Sequence, residues 1–131
     1  YMKTLEDMKE YFKKDRYVQL SGIEIIEVND KYAVCKAELS DKHLNTADMV
    51  QGGMLFTLCD FAFAVISNYN HPDTVSQTGF ISFINACVGA KYITATAREM
   101  TRTRHNCVGE VTVHDDSGKV ICISQFNGFI R

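Results

Sequence analysis

Apolar positions recur at two different periods along this chain, and the change of period outlines its elements. Over 4–14, Leu5, Met8, Tyr11 and Phe12 form one apolar face at helical spacing, and Thr4 with Asp7 three residues on predicts an N-terminal cap. Two strand-like segments, 23–28 and 32–39, meet at Asn29-Asp30, a turn-forming pair that predicts a hairpin. In the second of them Ala33, Cys35, Ala37 and Leu39 alternate with Tyr32, Val34, Lys36 and Glu38. A polar loop over 40–50 then leads through Gly52-Gly53 into an apolar run. From Met54 to Ile66 its only polar side chains are Thr57 and Asp60. That run predicts a helix of about three to four turns. Being apolar nearly all round, it must be enclosed by other structure. At 13 residues it is too short to span a bilayer, which takes roughly 20. The cluster 68–72, ending in Pro72, is a stop signal.

The remaining segments, 75–84, 91–101, 106–114 and 120–131, are rich in Val, Ile, Thr, Phe and Tyr and read as strands. The break Asp115-Asp116-Ser117-Gly118 before the last of them predicts another hairpin. The order is helix, two strands, long apolar helix, four strands. An α+β architecture follows: an antiparallel sheet of about six strands wrapped around a long central helix, with a short N-terminal helix packed outside. An exposed edge of such a sheet favours pairing with a second subunit.

The central helix also carries the candidate chemistry. Gly53, Thr57, Asp60, Ala64 and Ser67 follow spacings of three or four, so they predict one stripe of small or polar residues. Asp60 is a carboxylate in apolar surroundings, either satisfied by a partner or functional. The Gly52-Gly53 pair presents free N–H groups at the positive end of the helix dipole, where an anion or a developing oxyanion is stabilised. Gly52 and Asp60 are eight positions apart, roughly 12 Å along a helix axis. They reach one carbonyl together only if a two-fold dimer sets Gly52 of one subunit near Asp60 of the other.

Composition narrows the picture. A chain of 131 residues with 46% hydrophobic and 23% charged residues is one ordinary globular domain, 1–131. A net charge of −2 makes no electrostatic case for nucleic acid or anionic membrane. No secretory pattern opens the sequence, and the protein is expected to be cytoplasmic. Cys35, Cys59, Cys87, Cys107 and Cys122 are scattered among apolar residues without a C-x-x-C or a close Cys/His cluster. They predict reduced, buried thiols and no metal site.

The segment Asn45-x-x-Asp48-x-x-Gln51-Gly52-Gly53, followed by Leu55-Phe56-Thr57-Leu58-Cys59-Asp60-x-Ala62, resembles the signature of the hotdog-fold acyl-CoA thioesterases. It is most similar to the phenylacetate-degradation type, whose motif reads approximately N-x-x-G-x-x-H-G-G-x-x-x-x-L-x-D. The likeness extends over nearly the whole chain. It implies that Asp60 is the catalytic carboxylate, as nucleophile or as general base for water. It likewise implies that the Gly52 N–H polarises the thioester carbonyl, that Asn45 helps position that carbonyl or the water, and that the site is shared across a dimer or a dimer of dimers. Two residues depart from the motif. Gln51 stands where the type has histidine and can exchange hydrogen bonds but not titrate, and Asp48 stands where it has glycine.

Coenzyme A would enter as part of the substrate, with no separate cofactor and no metal. Its phosphates suit arginine, and Arg102 and Arg104 are the preferred pair within a basic group that includes Lys91 and Arg98. Gly53 and Thr57 are further candidates for substrate contact, although Thr57 is first expected to bond a carbonyl of its own helix. His43 reads as a loop residue, and Asn45 reads equally well as a loop cap. Phe56, Phe61, Phe63 and Tyr69 are core before they are an aryl pocket. The expected activity is hydrolysis of a small aryl- or short-to-medium-chain acyl-CoA. The alternative is a non-hydrolytic acyl-CoA-binding or sensor protein of the same fold, and a dehydratase is disfavoured for want of an Asp/His pair.

Overall fold

The computed structural model describes residues 4–131. Helix α1 (Leu5–Phe12) begins with the predicted capping box, Thr4 and Asp7 each accepting from the other's backbone N–H. A second helix, α2 (Arg16–Ser21), has no counterpart in the sequence reading. It is six residues long, too short for a periodic signal, and is set by its ends. Asp15 accepts from the Val18 N–H, and Gly22 closes the helix at φ 72°, a left-handed conformation suited to glycine.

Strands β1 (Ile23–Val28) and β2 (Tyr32–Glu38) form the predicted hairpin, with Asn29 Oδ1 accepting from the N–H groups of Lys31 and Tyr32. After a short 3₁₀ turn at Asp41–His43 comes the long helix α3 (Gly52–Asn70), then β3 (Thr74–Phe83), β4 (Tyr92–Arg102), β5 (Asn106–Asp115) and β6 (Val120–Ile130). At 19 residues, α3 is longer than its apolar run alone predicted, since the flanking Gly52-Gly53 and 67–70 are also helical. That is enough length and apolarity to cross a bilayer, but the helix is mostly buried within its own sheet.

The six strands are ordered β1-β2-β4-β5-β6-β3, and every neighbouring pair is antiparallel. The sheet curves around α3, which touches all six strands. Its middle is lined mainly with small side chains: Ala33 and Cys35 of β2 lie beside Ala97 and Ala95 of β4, and Ala37 lies beside the larger Ile93, all fully buried. These leave room for the large side chains of the helix. Toward β5 and β6 the approach is closer still. A Cβ on Gly109 would lie 2.9 Å from both the Phe63 ring and the Arg98 carbonyl, so only glycine fits there. Phe63 in turn stacks on Phe126 at 5.5 Å between ring centroids.

The two edges of the sheet differ. Strand β1 is flanked by α1 and α2, whereas β3 has a strand neighbour on one side only. Most of β3 is exposed, including Val75, Phe80 and Phe83 at 42%, 72% and 56%. A ten-residue open edge with exposed apolar side chains is a template for another strand.

Candidate active site

The loop before α3 is held from beneath by His43. This residue is buried; its Nδ1 accepts from the Ser40 N–H at 3.0 Å and its Nε2 donates to the Ser21 carbonyl at 2.7 Å. The His43 carbonyl accepts from the Gln51 N–H at 2.9 Å, and a single bridge joins Leu44 to Val50. His43 is therefore an anchor for the loop rather than a free loop residue. Asn45 folds the tip: its Oδ1 accepts from the N–H groups of Ala47 and Met49 at 2.8 and 3.1 Å. The oxygen is spent on the loop, which leaves the amide NH₂ as the group Asn45 has to offer. Asp48 sits at φ 58°. The position where the thioesterase motif has glycine is thus a left-handed turn, a conformation that aspartate tolerates better than most residues.

Gln51 is the N-cap of α3, its Oε1 accepting from the Met54 N–H at 3.1 Å. A Cβ on Gly53 would lie 2.7 Å from that Oε1, so a side chain at this position would have to push the Gln51 amide aside. The N–H groups of Gly52 and Gly53 have no acceptor among the described residues. Gly52 lies under the half-exposed ring of Phe83 on β3, where a Cβ would come within 3.1 Å.

Two turns further along, the half-buried Asp60 accepts a hydrogen bond from the Ser76 hydroxyl at 2.7 Å. Burial raises the Asp60 pKa above the ordinary value, and the Ser76 bond pulls in the opposite direction. Ser76 is absent from the sequence reading. It lies sixteen positions away on another element, so no local pattern joins it to Asp60. For hydrolysis by ionised Asp60, the acid limb of kcat/KM is expected to lie above the usual carboxylate range. Ser76→Ala should move that limb to higher pH. A limb that stays in place in this variant would show that the Ser76 bond does not act on the essential group.

The predicted polar stripe is narrower than expected. Ser67 is buried and its hydroxyl donates to the Ala64 carbonyl, while the Thr57 hydroxyl donates to the Gly53 carbonyl at 2.8 Å, as its helical position predicted. Phe61 and Phe63 are core, and Phe56 packs edge-on to Phe126 with 37% of its surface exposed. All five cysteines are free and buried. Burial pushes the Cys35 thiol up and takes Cys107 to about 11, which keeps both protonated and unreactive.

One chain therefore gathers Asn45, Gln51, Gly52 and Gly53 at the start of α3 and holds Asp60 roughly 12 Å further along the same helix. Arg102 and Arg104 lie elsewhere, beside His71 just past the end of α3.

No family model matches the chain. A curated relative from Archaeoglobus fulgidus, which carries a provisional esterase name, is 26% identical over 122 residues, 92% of this chain and 79% of its own. The acyl-coenzyme A thioesterase PaaI of Escherichia coli is 24% identical over 121 residues, 92% of this chain and 86% of its own. The solved PaaI structure superposes with a TM-score of 0.88, covering 93% of this chain and 88% of that one at 23% identity. The chain has the hotdog fold. A hypothetical thioesterase protein from Streptococcus pneumoniae, solved with coenzyme A, has a TM-score of 0.82 at 23% identity, with 92% of this chain and 96% of that one covered.

Proposed function

We propose that this thioester hydrolase cleaves a small aryl- or short-to-medium-chain acyl-CoA to the free acid and coenzyme A, at a site shared between two subunits. The observation that carries the reading is the Asp60–Ser76 pair. It is a half-buried carboxylate with a raised pKa, on the face of α3 that borders an open strand edge, on the same helix as the unpaired Gly52 N–H. The coenzyme A bound by the Streptococcus pneumoniae protein and the activity named for the Escherichia coli relative support the substrate class.

The register of β3 supports the shared site. Phe83 lies against Gly52 at one end of the strand, and Ser76 lies against Asp60 at the other. If two copies of β3 pair antiparallel about a point between Gly79 and Phe80, Ser76 comes beside Phe83 of the partner subunit. Asp60 then comes beside Gly52 of the partner subunit, and the roughly 12 Å gap within one chain closes between two. The dimer, alone or as a dimer of dimers, would also cover the exposed apolar side chains of β3.

In such a site, Gly52 donates its N–H to the thioester oxygen, where charge develops as the carbonyl carbon becomes tetrahedral. Ionised Asp60 either attacks that carbon, forming an anhydride that water then cleaves, or takes the proton of an attacking water. Both routes consume one water, and the sulfur leaves with a proton from it as the coenzyme A thiol. Ser76 holds the carboxylate in place. Gln51 and the Asn45 amide are the neutral groups nearest the helix start that can orient carbonyl or water.

Steady-state hydrolysis of an acyl-CoA panel, read by free-thiol release, tests the reading, and the best substrate decides aryl against aliphatic. Binding of coenzyme A compounds without turnover would instead favour the non-hydrolytic acyl-CoA-binding or sensor role. Light scattering should report a dimer or tetramer. A monomer with full activity would overturn the shared site.

A further inference from the structure

Strand β4 ends in an irregularity that reorients a side chain. Ile93, Ala95 and Ala97 face the helix and are fully buried, and Glu99 continues that alternation. Three residues later, Arg102 would face the opposite side in a regular strand. The register with β5 instead shifts between Glu99 and Thr101, and Arg102 pairs with the buried, helix-facing Cys107. The bulge puts Glu99 and Arg102 on the same face of the sheet, as bulges near functional sites often do.

Both residues meet His71, which caps the end of α3 and is 8% exposed. The His71 Nε2 lies 2.6 Å from Glu99 Oε1, and Arg102 Nη1 lies 3.2 Å from His71 Nδ1. With Nε2–H donating to the carboxylate, Nδ1 is left to accept from the guanidinium. The relay fixes one of Arg102's donors and leaves the others facing a cavity of about 520 Å³ lined by His71, Pro72, Arg102, Thr103, Arg104 and Ile130. Arg104 has no hydrogen-bond or ion-pair partner among the described residues, and the nearby Asp73 is paired with Arg131 at 2.6 Å. The Thr103 hydroxyl oxygen accepts from the Asn106 N–H, so its proton remains to be donated. Two guanidinium groups and a hydroxyl thus converge on one cavity without a carboxylate in its lining, a donor set that fits phosphate oxygens.

We propose that the bulge-built Glu99–His71–Arg102 relay positions Arg102, beside Arg104, as the subsite that holds the phosphates of the thioester substrate, with Glu99 and His71 as positioning residues. The inference rests on the acyl-CoA reading above. Asp60 and His71 are eleven positions apart, about 16 Å along one helix. That is a span suited to a pantetheine arm running from a thioester at Asp60 to phosphates at Arg102.

The test compares two thioesters of the same acyl group, acyl-CoA and acyl-N-acetylcysteamine, which has no phosphate. His71→Ala and Arg102→Ala should each raise KM for acyl-CoA about ten- to a hundred-fold, the loss of a charge-assisted hydrogen bond. Both kcat and the constants for acyl-N-acetylcysteamine should stay unchanged. Equal changes on both substrates, or none on either, would overturn the subsite, because a purely structural role does not sense the phosphates. The exposed Arg104→Ala keeps the test open if His71→Ala fails to fold, and the same split is expected of it. Calorimetry with 3′,5′-ADP separates this proposal from the activity itself. Should wild-type protein hydrolyse neither thioester, 3′,5′-ADP binding that Arg102→Ala weakens would still support the subsite, and no binding would overturn it.

Discussion

Asp60→Asn is expected to lower kcat for the best acyl-CoA by at least about 10²–10⁴-fold, the contribution of a positioned base or nucleophile, while the protein stays folded and oligomeric. The amide keeps the shape of the carboxylate and still accepts from Ser76, but it neither attacks nor takes a proton. The variant should not lose stability at neutral pH. Burial raises the Asp60 pKa in the folded state, so folding favours the protonated carboxyl. Any stabilisation from that preference is present below the unfolded pKa and is lost as pH rises through the folded one. A neutral amide removes the half-buried charge, and the melting temperature at pH 7 should be no lower than that of the wild type. Undiminished hydrolysis in this variant would remove Asp60 from the mechanism. A collapse of the oligomer or of the melting transition would make its role structural.

Phe63→Ala should have the largest effect on stability, about 3–5 kcal/mol, the range for truncating a buried aromatic ring. Phe63 is 1% exposed, stacks on Phe126 and presses against Gly109. Gly109 has no side chain with which to refill the space, and backbone lies directly behind it. The urea midpoint should fall steeply, whereas the remaining folded protein should keep the acyl preference of the wild type. A stability loss under about 1 kcal/mol would contradict the core assignment, since full burial of such a ring is worth more than that. A changed acyl preference would turn Phe63 into a wall of the acyl site.

These two residues illustrate how unevenly the sequence and the tertiary structure contribute. Both lie in the same apolar run and are three positions apart, yet only Asp60 stood out by its chemistry. Whether Phe63 is core or pocket depends on what faces it, and that is glycine and another ring from strands β5 and β6. The departures from the thioesterase motif divide in the same way. Asp48 turned out to serve a left-handed turn and Gln51 a helix cap. Both are local backbone roles, and the structure shows why these residues can stand there.

The sequence by itself determined the central helix, the six strands, the first hairpin and cap and the Gly52-Gly53 helix start, and it singled out Asp60 as a carboxylate in an apolar run. All of these depend on neighbours a few positions apart, through periodicity, turn chemistry and capping. It passed over α2, whose six residues hold no full period and whose ends alone define it. Only the tertiary structure decided that Ser76 holds Asp60, that β3 is the open edge, and that Arg102 reaches His71, which Glu99 holds from its other side. Each of those depends on strand order and register, and one bulge reverses the face of every side chain after it. Register is set by packing between segments far apart in the chain, so the same residues read locally leave it undetermined.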